Sequence, residues 1–482
     1  MLVVGDCLTM SEPARAEGLV TDGERIVAIG RVADLAARWP GQRRVRVERI
    51  TPGVHDAHVH PALWGQALEC LDLTGVTDPR TAADFVAAHV RELEPGAWVR
   101  GGGYLFDHYP EHALLTLAAP ANPVFLASRD LHSAWVNRAA LEAAGIGADS
   151  ADPEGGRILR DACGGPSGYL LERAVGLVAR VLPPLEPADL ERGLTDLARR
   201  GYVAAHAMPY SGAVDLPWAE HLARSSSLPL RLWWAVPAES VGSVSPGWRG
   251  EDLEVAAVKL FADGALGSRT AWMHAPYADS GTGMPVEPPE RLQALARAAQ
   301  SAGFGLAIHA IGTRAVEVVL GILAGLATGA PRRPRIEHAQ HIRDEELEVL
   351  LRVPAAVSMQ PIHLHADAAL VRRYLSGRED EAFRFRSVIE SGATLAFGSD
   401  APVVAPDLSA GIDAATHHAL DHEQSLGFED AVRAFTRGAA LAAGWDQDGR
   451  LVADGRADLG LWEGTKLVGR VYRGVLEWLS NA

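Results

Sequence analysis

Hydrophobic and polar positions fall into two alternating styles along the chain. Over the first fifty residues LVTDG, RIVAIG and RVRVERI cluster or alternate β-branched residues between Gly and Asp, which predicts short strands joined by turns. ADLGLWEG, KLVGRVYRG and VLEWL repeat that style over the last forty. In between lie short apolar runs, mostly bounded by Gly or Pro: VFLAS, YVAAHAM, LRLWWAV, AAVKLFADG, FGLAIHAIG, PRIEHAQ, AAVSMQ and ATLAFGSDAP. Near-continuous apolar runs suit parallel strands covered on both faces. Helical spacing intervenes in LERGLTDLARRG, PERLQALARAAQSAG, RAVEVVLGILAGLATG and EELEVLLRV, several of them stopped by Gly.

Strand and helix alternating over this length predict an α/β fold, a (β/α)8 TIM-like barrel. Its expected span is 51–444, with 1–50 and 445–482 meeting in one small composite β-sandwich. From about 70 to 175 the alternation fails and Gly and Pro are frequent, so an irregular insertion over the barrel mouth is expected there.

Composition narrows the partners. The 482 residues are 48% hydrophobic and 22% charged, enough for a sizeable core, and carry a formal net charge of −16. An acidic chain without basic patches argues against nucleic acid and anionic membrane surfaces. No apolar stretch is long enough to span a bilayer, and the first residues lack a signal-peptide pattern. Cys7, Cys70 and Cys163 are far apart and form no CxxC pair. A cytoplasmic location and a small-molecule partner are the resulting expectations.

The chemistry gathers at the ends of the apolar runs. In ITPGVHDAHVHP, His58 and His60 are one residue apart, a spacing that turns both imidazoles to one face of a strand, where they can grip one cation. Ordinary hydrogen-bonded strand histidines fit that pair equally well when it is taken alone. Lys259 stands inside VAAVKLFADG, a run too apolar for an unpaired ammonium. Carboxylation to an anionic carbamate that bridges two cations would resolve this, and so would an ion pair with Asp263. His309 and His338 end FGLAIHAIG and PRIEHAQ, each offering a neutral nitrogen from a separate strand. Asp400, in LAFGSDAP, can ligate a metal and take a proton from water, although the same residues also read as a turn.

The order HxH, Lys, His, His, Asp resembles the amidohydrolase superfamily. VKLFADGALGSRTAWM, AIHAIGTRAV, RIEHAQHI, VSMQP and AFGSDAPV are similar to its amidohydrolase-3 branch, as are DLHSAWVNRAALEAAGI and GRILRDACGGPSGYLLERA. The resemblance covers nearly the whole chain. It implies a metal-dependent hydrolase that cleaves a C–N (amide-type) bond, one or two divalent metal ions with zinc the usual choice, and a tendency to homo-oligomers. His58 and His60 would hold one metal and His309 and His338 the other. Carboxylated Lys259 would bridge them, and Asp400 would complete the first site and accept the proton of the attacking water. The chain departs from the branch at Thr313, where Asp is usual and an orienting carboxylate near His309 is lost, at His55, where an apolar residue is usual, and in VADGRADLGLWEG, which matches loosely.

Around this centre, His132 in SRDLHSAWVN is the candidate for a hydrogen bond to the substrate carbonyl, with a loop-packing histidine as the bland alternative. Glu172 reads as a helix-surface glutamate more readily than as a pocket residue. Trp64, Trp135 and Trp272, with Tyr104 and Phe106, fall in mouth loops and form a candidate aryl pocket, though aromatics also pack cores. His363 and His365 repeat the HxH spacing and are candidates for lining the pocket. A metal-dependent esterase, lactonase or deaminase would use the same centre, and a silent binding or regulatory protein could keep the scaffold.

Overall fold

A computed structural model describes residues 1–209, 215–225, 228–326 and 332–479. Its centre is eight parallel strands in chain order: β1 (Val54–Val59), β2 (Tyr202–Ala207), β3 (Arg231–Pro237), β4 (Leu253–Phe261), β5 (Gly305–Ala310), β6 (Arg335–His338), β7 (Ala356–Met359) and β8 (Thr394–Phe397). Each pairs with the next, from β1 to β8. Helices Pro289–Ser301 and Thr313–Ala324 follow β4 and β5, as their spacing predicts. The end of the second pattern, 327–329, lies outside the described residues.

The seam between β8 and β1 is closed by polar contacts near the mouth. The backbone N–H of Asp400 donates to the carbonyl of His58 at 2.7 Å. Asp56 accepts from the N–H groups of His58 and Ser399 at 3.1 and 3.0 Å, and from the Ser399 hydroxyl at 2.5 Å. Gly398 permits this approach, because a Cβ there would lie 2.3 Å from the nitrogen of His58. The fold therefore sets β1 and Asp400 against each other before any side-chain chemistry is considered.

Both ends of the chain join one seven-stranded sheet. Arg44–Pro52 pairs in parallel with Leu2–Leu8 and antiparallel with Leu459–Glu463, so strands from both ends share that sheet. The insertion is more regular than its composition predicts. It builds a six-stranded sheet from Leu71–Asp72, Val99–Tyr104, Val124–Ser128, Ser133–Val136, Gly156–Arg160 and Pro166–Glu172. VFLAS belongs to this sheet and not to the barrel. Its apolar run is alike in both settings, and only the pairing partner separates them.

Candidate active site

The six predicted ligands arrive from five strands at the carboxyl end of the barrel, where loops can vary without disturbing the core. His58 lies in β1 and His60 directly after it, Lys259 is in β4, His309 in β5, and His338 ends β6. Asp400 follows β8 by three residues. All six are buried. His338 and Asp400 have φ of 73° and 61°, left-handed values that side-chain-bearing residues rarely adopt. Such strain gathers where a side chain must be aimed.

Hydrogen bonds at the far side of each ring fix what it offers to the centre. Nδ1 of His58 meets Oε2 of Glu337 at 2.7 Å, Nδ1 of His60 the Met208 carbonyl at 2.9 Å, and Nδ1 of His338 Oε1 of Gln360 at 2.7 Å. With Nδ1 the donor, each ring keeps its Nε2 lone pair. Nε2 of His58 and of His60 lie 3.4 and 3.1 Å from Oδ1 of Asp400. His309 is reversed: its Nε2 donates to the Gly264 carbonyl at 3.1 Å, with Asp263 Oδ1 at 3.6 Å, which keeps Nδ1 free as the acceptor. Asp263 thus stands near His309 where Thr313 removes a carboxylate. The Thr313 hydroxyl instead meets Nδ1 of His274 at 3.0 Å.

Lys259 is the sharpest test of whether a cation belongs here. Its Nζ is buried and has no hydrogen-bond partner among the described residues. The alternative pair with Asp263 does not form, because that carboxylate takes the N–H groups of Ile311, Gly312 and Trp272 at 2.9, 2.8 and 2.8 Å. Four imidazoles with pinned tautomers, a carboxylate and a buried lysine without a hydrogen bond among the described residues suit divalent metal ions. Ligand atoms of His58, His338 and Asp400 already lie within 4.8 Å of one another.

The electrostatics agree with that donor set. Burial, reinforced by the Lys259 charge, lowers the pKa of His58 to about 4 and holds His309 well below the ordinary range. Burial and the neighbouring His309 do the same to His338, so these rings stay neutral and able to ligate. Burial alone would raise Asp400, but His58, His60 and His338 hold it well below the usual carboxylate range, and it stays ionised. Burial lowers Lys259 to about 8 against the pull of Glu337 and Asp400.

The insertion supplies the roof of a cleft above this centre. His132 lines it, with its ring 6.1 Å from that of His309 and its Nδ1 2.8 Å from Oε2 of Glu172. Burial would lower His132, yet the Glu172 carboxylate outweighs it and raises the pKa to about 9. Glu172 is not on a helix. It ends strand Pro166–Glu172 with φ of 50°, and its other oxygen accepts from the hydroxyls of Thr270 and Ser268 at 2.5 and 3.2 Å.

Of the predicted pocket residues, Tyr104, Phe106 and His363 line the cleft, and Tyr104 stacks on Phe106 at 4.1 Å. Three tryptophans do not. Trp64 is buried on the helix Pro61–Ala67, where its Nε1 donates to Asp196 at 2.8 Å. Trp135 sits wholly in the core of the insertion and donates to the Glu111 carbonyl at 3.2 Å. Trp272 packs against the barrel core, with the Arg314 guanidinium 5.8 Å from its ring centre. His365 pairs with Asp413 at 3.3 Å near the surface, also away from the cleft.

Two residues escaped the sequence reading. Glu337 and Arg335, on β6, are fully buried, and Arg335 donates to both Glu337 oxygens at 2.8 and 3.0 Å. Opposite charges two apart on a strand enclosed on both faces were the available signal.

The amidohydrolase family profile matches residues 48–469, a span that includes every ligand described above. The chain belongs to the amidohydrolase family. It is 32% identical to the putative amidohydrolase YtcJ of Bacillus subtilis over 440 residues, covering 82% of each chain. It is 24% identical to the N-substituted formamide deformylase of Arthrobacter pascens, covering 92% of this chain and 89% of that one. Among solved structures, an uncharacterized metal-dependent hydrolase from Pyrococcus horikoshii superposes with a TM-score of 0.77 at 25% identity and 95% coverage of both chains.

Proposed function

We propose that this amidohydrolase is a metal-dependent enzyme that hydrolyses an amide-type C–N bond of a small molecule, with zinc the expected metal. The observation that carries the reading is Lys259: a buried amine without a hydrogen-bond partner among the described residues, facing neutral imidazoles and an ionised carboxylate. The resemblance to a formamide deformylase and to a metal-dependent hydrolase supports it.

His58, His60, His309, His338 and Asp400 would hold the ions. Lys259 would bridge them as a carbamate, its Nζ bonded to the carbon of carbon dioxide with loss of one proton. Bound divalent cations supply Lewis acidity and lower the pKa of water from 15.7 to about 7. Asp400, ionised and lining the cleft, accepts the proton of the attacking water and can return it to the leaving nitrogen. His132 faces the cleft with its charge balanced by Glu172 and is placed to hydrogen-bond the substrate carbonyl oxygen as negative charge develops there.

The test is to strip the protein with a chelator, reload it with zinc and assay matched amide and ester pairs. Turnover that vanishes with the metal and favours the amide is expected. Preference for the ester would displace the C–N assignment, and activity in the stripped protein would displace the metal.

A further inference from the structure

A run of buried polar contacts leads away from the metal ligands into the barrel. It begins at His58, whose Nδ1 meets Oε2 of Glu337, and continues through Arg335, which donates to both Glu337 oxygens. Nη2 of Arg335 also donates to the carbonyl of Ala57 at 2.6 Å, on the strand that carries His58. The remaining guanidinium nitrogen, Nη1, meets Nδ1 of His206 at 2.7 Å. His206 lies on β2, is fully buried, and has no part in the hydrolysis described above.

Each partner in this run fixes the next. A guanidinium only donates, so Nδ1 of His206 accepts and the proton of the neutral ring sits on Nε2. Burial and the Arg335 charge hold His206 well below the ordinary histidine pKa, in keeping with a neutral ring. Its Nε2–H has no acceptor among the described residues, and neither has the buried Nδ1 of neighbouring His55 a partner. The two rings meet edge to face with centres 5.9 Å apart, a separation that one water spans between a donor and an acceptor. The proton on Nε2 bars a cation from the same place. Trp445, 5.9 Å from both rings, and Trp233, 5.5 Å from His206 and 4.6 Å from the Arg335 guanidinium, wall the group with apolar surface.

We propose that His206 is a positioning residue for the metal centre, acting on His58 through Arg335 and Glu337, and that it shares one water with His55. The proposal rests on the metal-dependent reading above. Oε2 of Glu337 is divided between Nη2 of Arg335 and Nδ1 of His58, so the seat of the guanidinium decides how much of that oxygen His58 receives. His206 is the acceptor that holds Nη1. Without it a buried N–H is left unpaired, the guanidinium turns to find another acceptor, and its grip on Glu337 changes. A carboxylate behind a metal-binding imidazole sets the direction and basicity of that ring, so the disturbance reaches the metal.

The experiment uses His206→Asn and His206→Gln. The amide oxygen of asparagine can stand where Nδ1 of His206 stands, whereas glutamine places its amide near Nε2. Zinc affinity is measured by competition with a chromophoric chelator, the visible bands of the cobalt(II)-loaded protein report ligand geometry, and denaturant unfolding of the metal-free protein verifies folding. We expect the asparagine variant to stay within about threefold of the native affinity and the glutamine variant to bind about tenfold more weakly, with shifted cobalt bands in the glutamine variant alone. His55→Leu removes the acceptor of the shared water and should weaken zinc binding by about threefold. Native affinity in the glutamine variant, or equal losses in both His206 variants, would overturn the positioning role. Failure of the glutamine variant alone to fold would make the acceptor a requirement of the fold and overturn it as well. An unchanged His55→Leu would strike His55 and its water and leave His206 in place. A native protein that binds no zinc would overturn the metal-dependent reading and the inference with it.

Discussion

Glu337 accepts a hydrogen bond from Nδ1 of His58 at 2.7 Å, with both side chains enclosed by the barrel. The contact fixes the imidazole tautomer and turns its Nε2 toward Asp400. Carboxylates behind metal-binding histidines typically contribute 10–100-fold to metal affinity. Glu337→Gln keeps the shape but removes the charge, and about that loss of zinc affinity is expected in competition with a chromophoric chelator. An unchanged affinity would confine Glu337 to structural support. Glu337→Ala should be harsher, because Arg335 would lose its partner in the barrel interior, and breaking a buried pair costs about 3–5 kcal/mol. Denaturant unfolding measures that difference.

Lys259 gives a prediction about stoichiometry. If its carbamate joins two ions, the native protein should hold two zinc ions per chain, and Lys259→Ala should hold one or fewer by elemental analysis. Carbon dioxide added back should not restore the variant, whereas decarboxylated native protein should regain metal with it. Equal metal content in native and variant proteins would eliminate the bridge.

These tests concern residues of different visibility in the sequence. A lone cation in an apolar run exposes Lys259, and strand-end histidines expose His58, His60, His309 and His338, because period and burial are local properties. The barrel strands are legible for the same reason. Glu172 is not, since YLLERA has no helix-breaking residue and its partner His132 is 40 residues away. The insertion sheet is obscured by VRGGGY, whose glycines hide a strand stabilised by its neighbours. Trp64, Trp135 and Trp272 mislead because an aromatic suits a core as well as a pocket.

The His132–Glu172 pair predicts a pH response with a definite sign. The pKa of His132 is raised from 6.5 to about 9, so the folded chain binds more protons than the unfolded one between those values. The pair's stabilisation is therefore complete below pH 6.5 and is lost as pH rises through about 9. If its imidazolium holds the carbonyl oxygen, kcat/KM should fall over the same upper limb. Glu172→Gln should shift that limb to lower pH. His132→Gln should remove it and lower kcat by about 10²–10³-fold. A limb that stays in place in the Glu172 variant would assign the titration to another group.

The seam between β1 and β8 can be tested with a single methyl group. In Gly398→Ala the new carbon would lie 2.3 Å from the His58 nitrogen and 2.9 Å from Asp56 Oδ1, both fixed by the hydrogen bonds that close the barrel. The strands must separate, and overpacking of this kind costs about 1–3 kcal/mol. Because His58 and Asp400 lie on opposite sides of the seam, the same displacement should lower kcat/KM by about 10²-fold, the scale of a misplacement near 1 Å. Gly321→Ala is the matched control. That glycine lies in helix Thr313–Ala324 with open space around the new carbon, so alanine should stabilise the helix by about 0.8–1 kcal/mol and leave turnover intact. Denaturant unfolding and kcat/KM, measured on both variants with zinc in excess, separate the two. If Gly398→Ala is as active as Gly321→Ala, closure of the seam does not set the catalytic geometry.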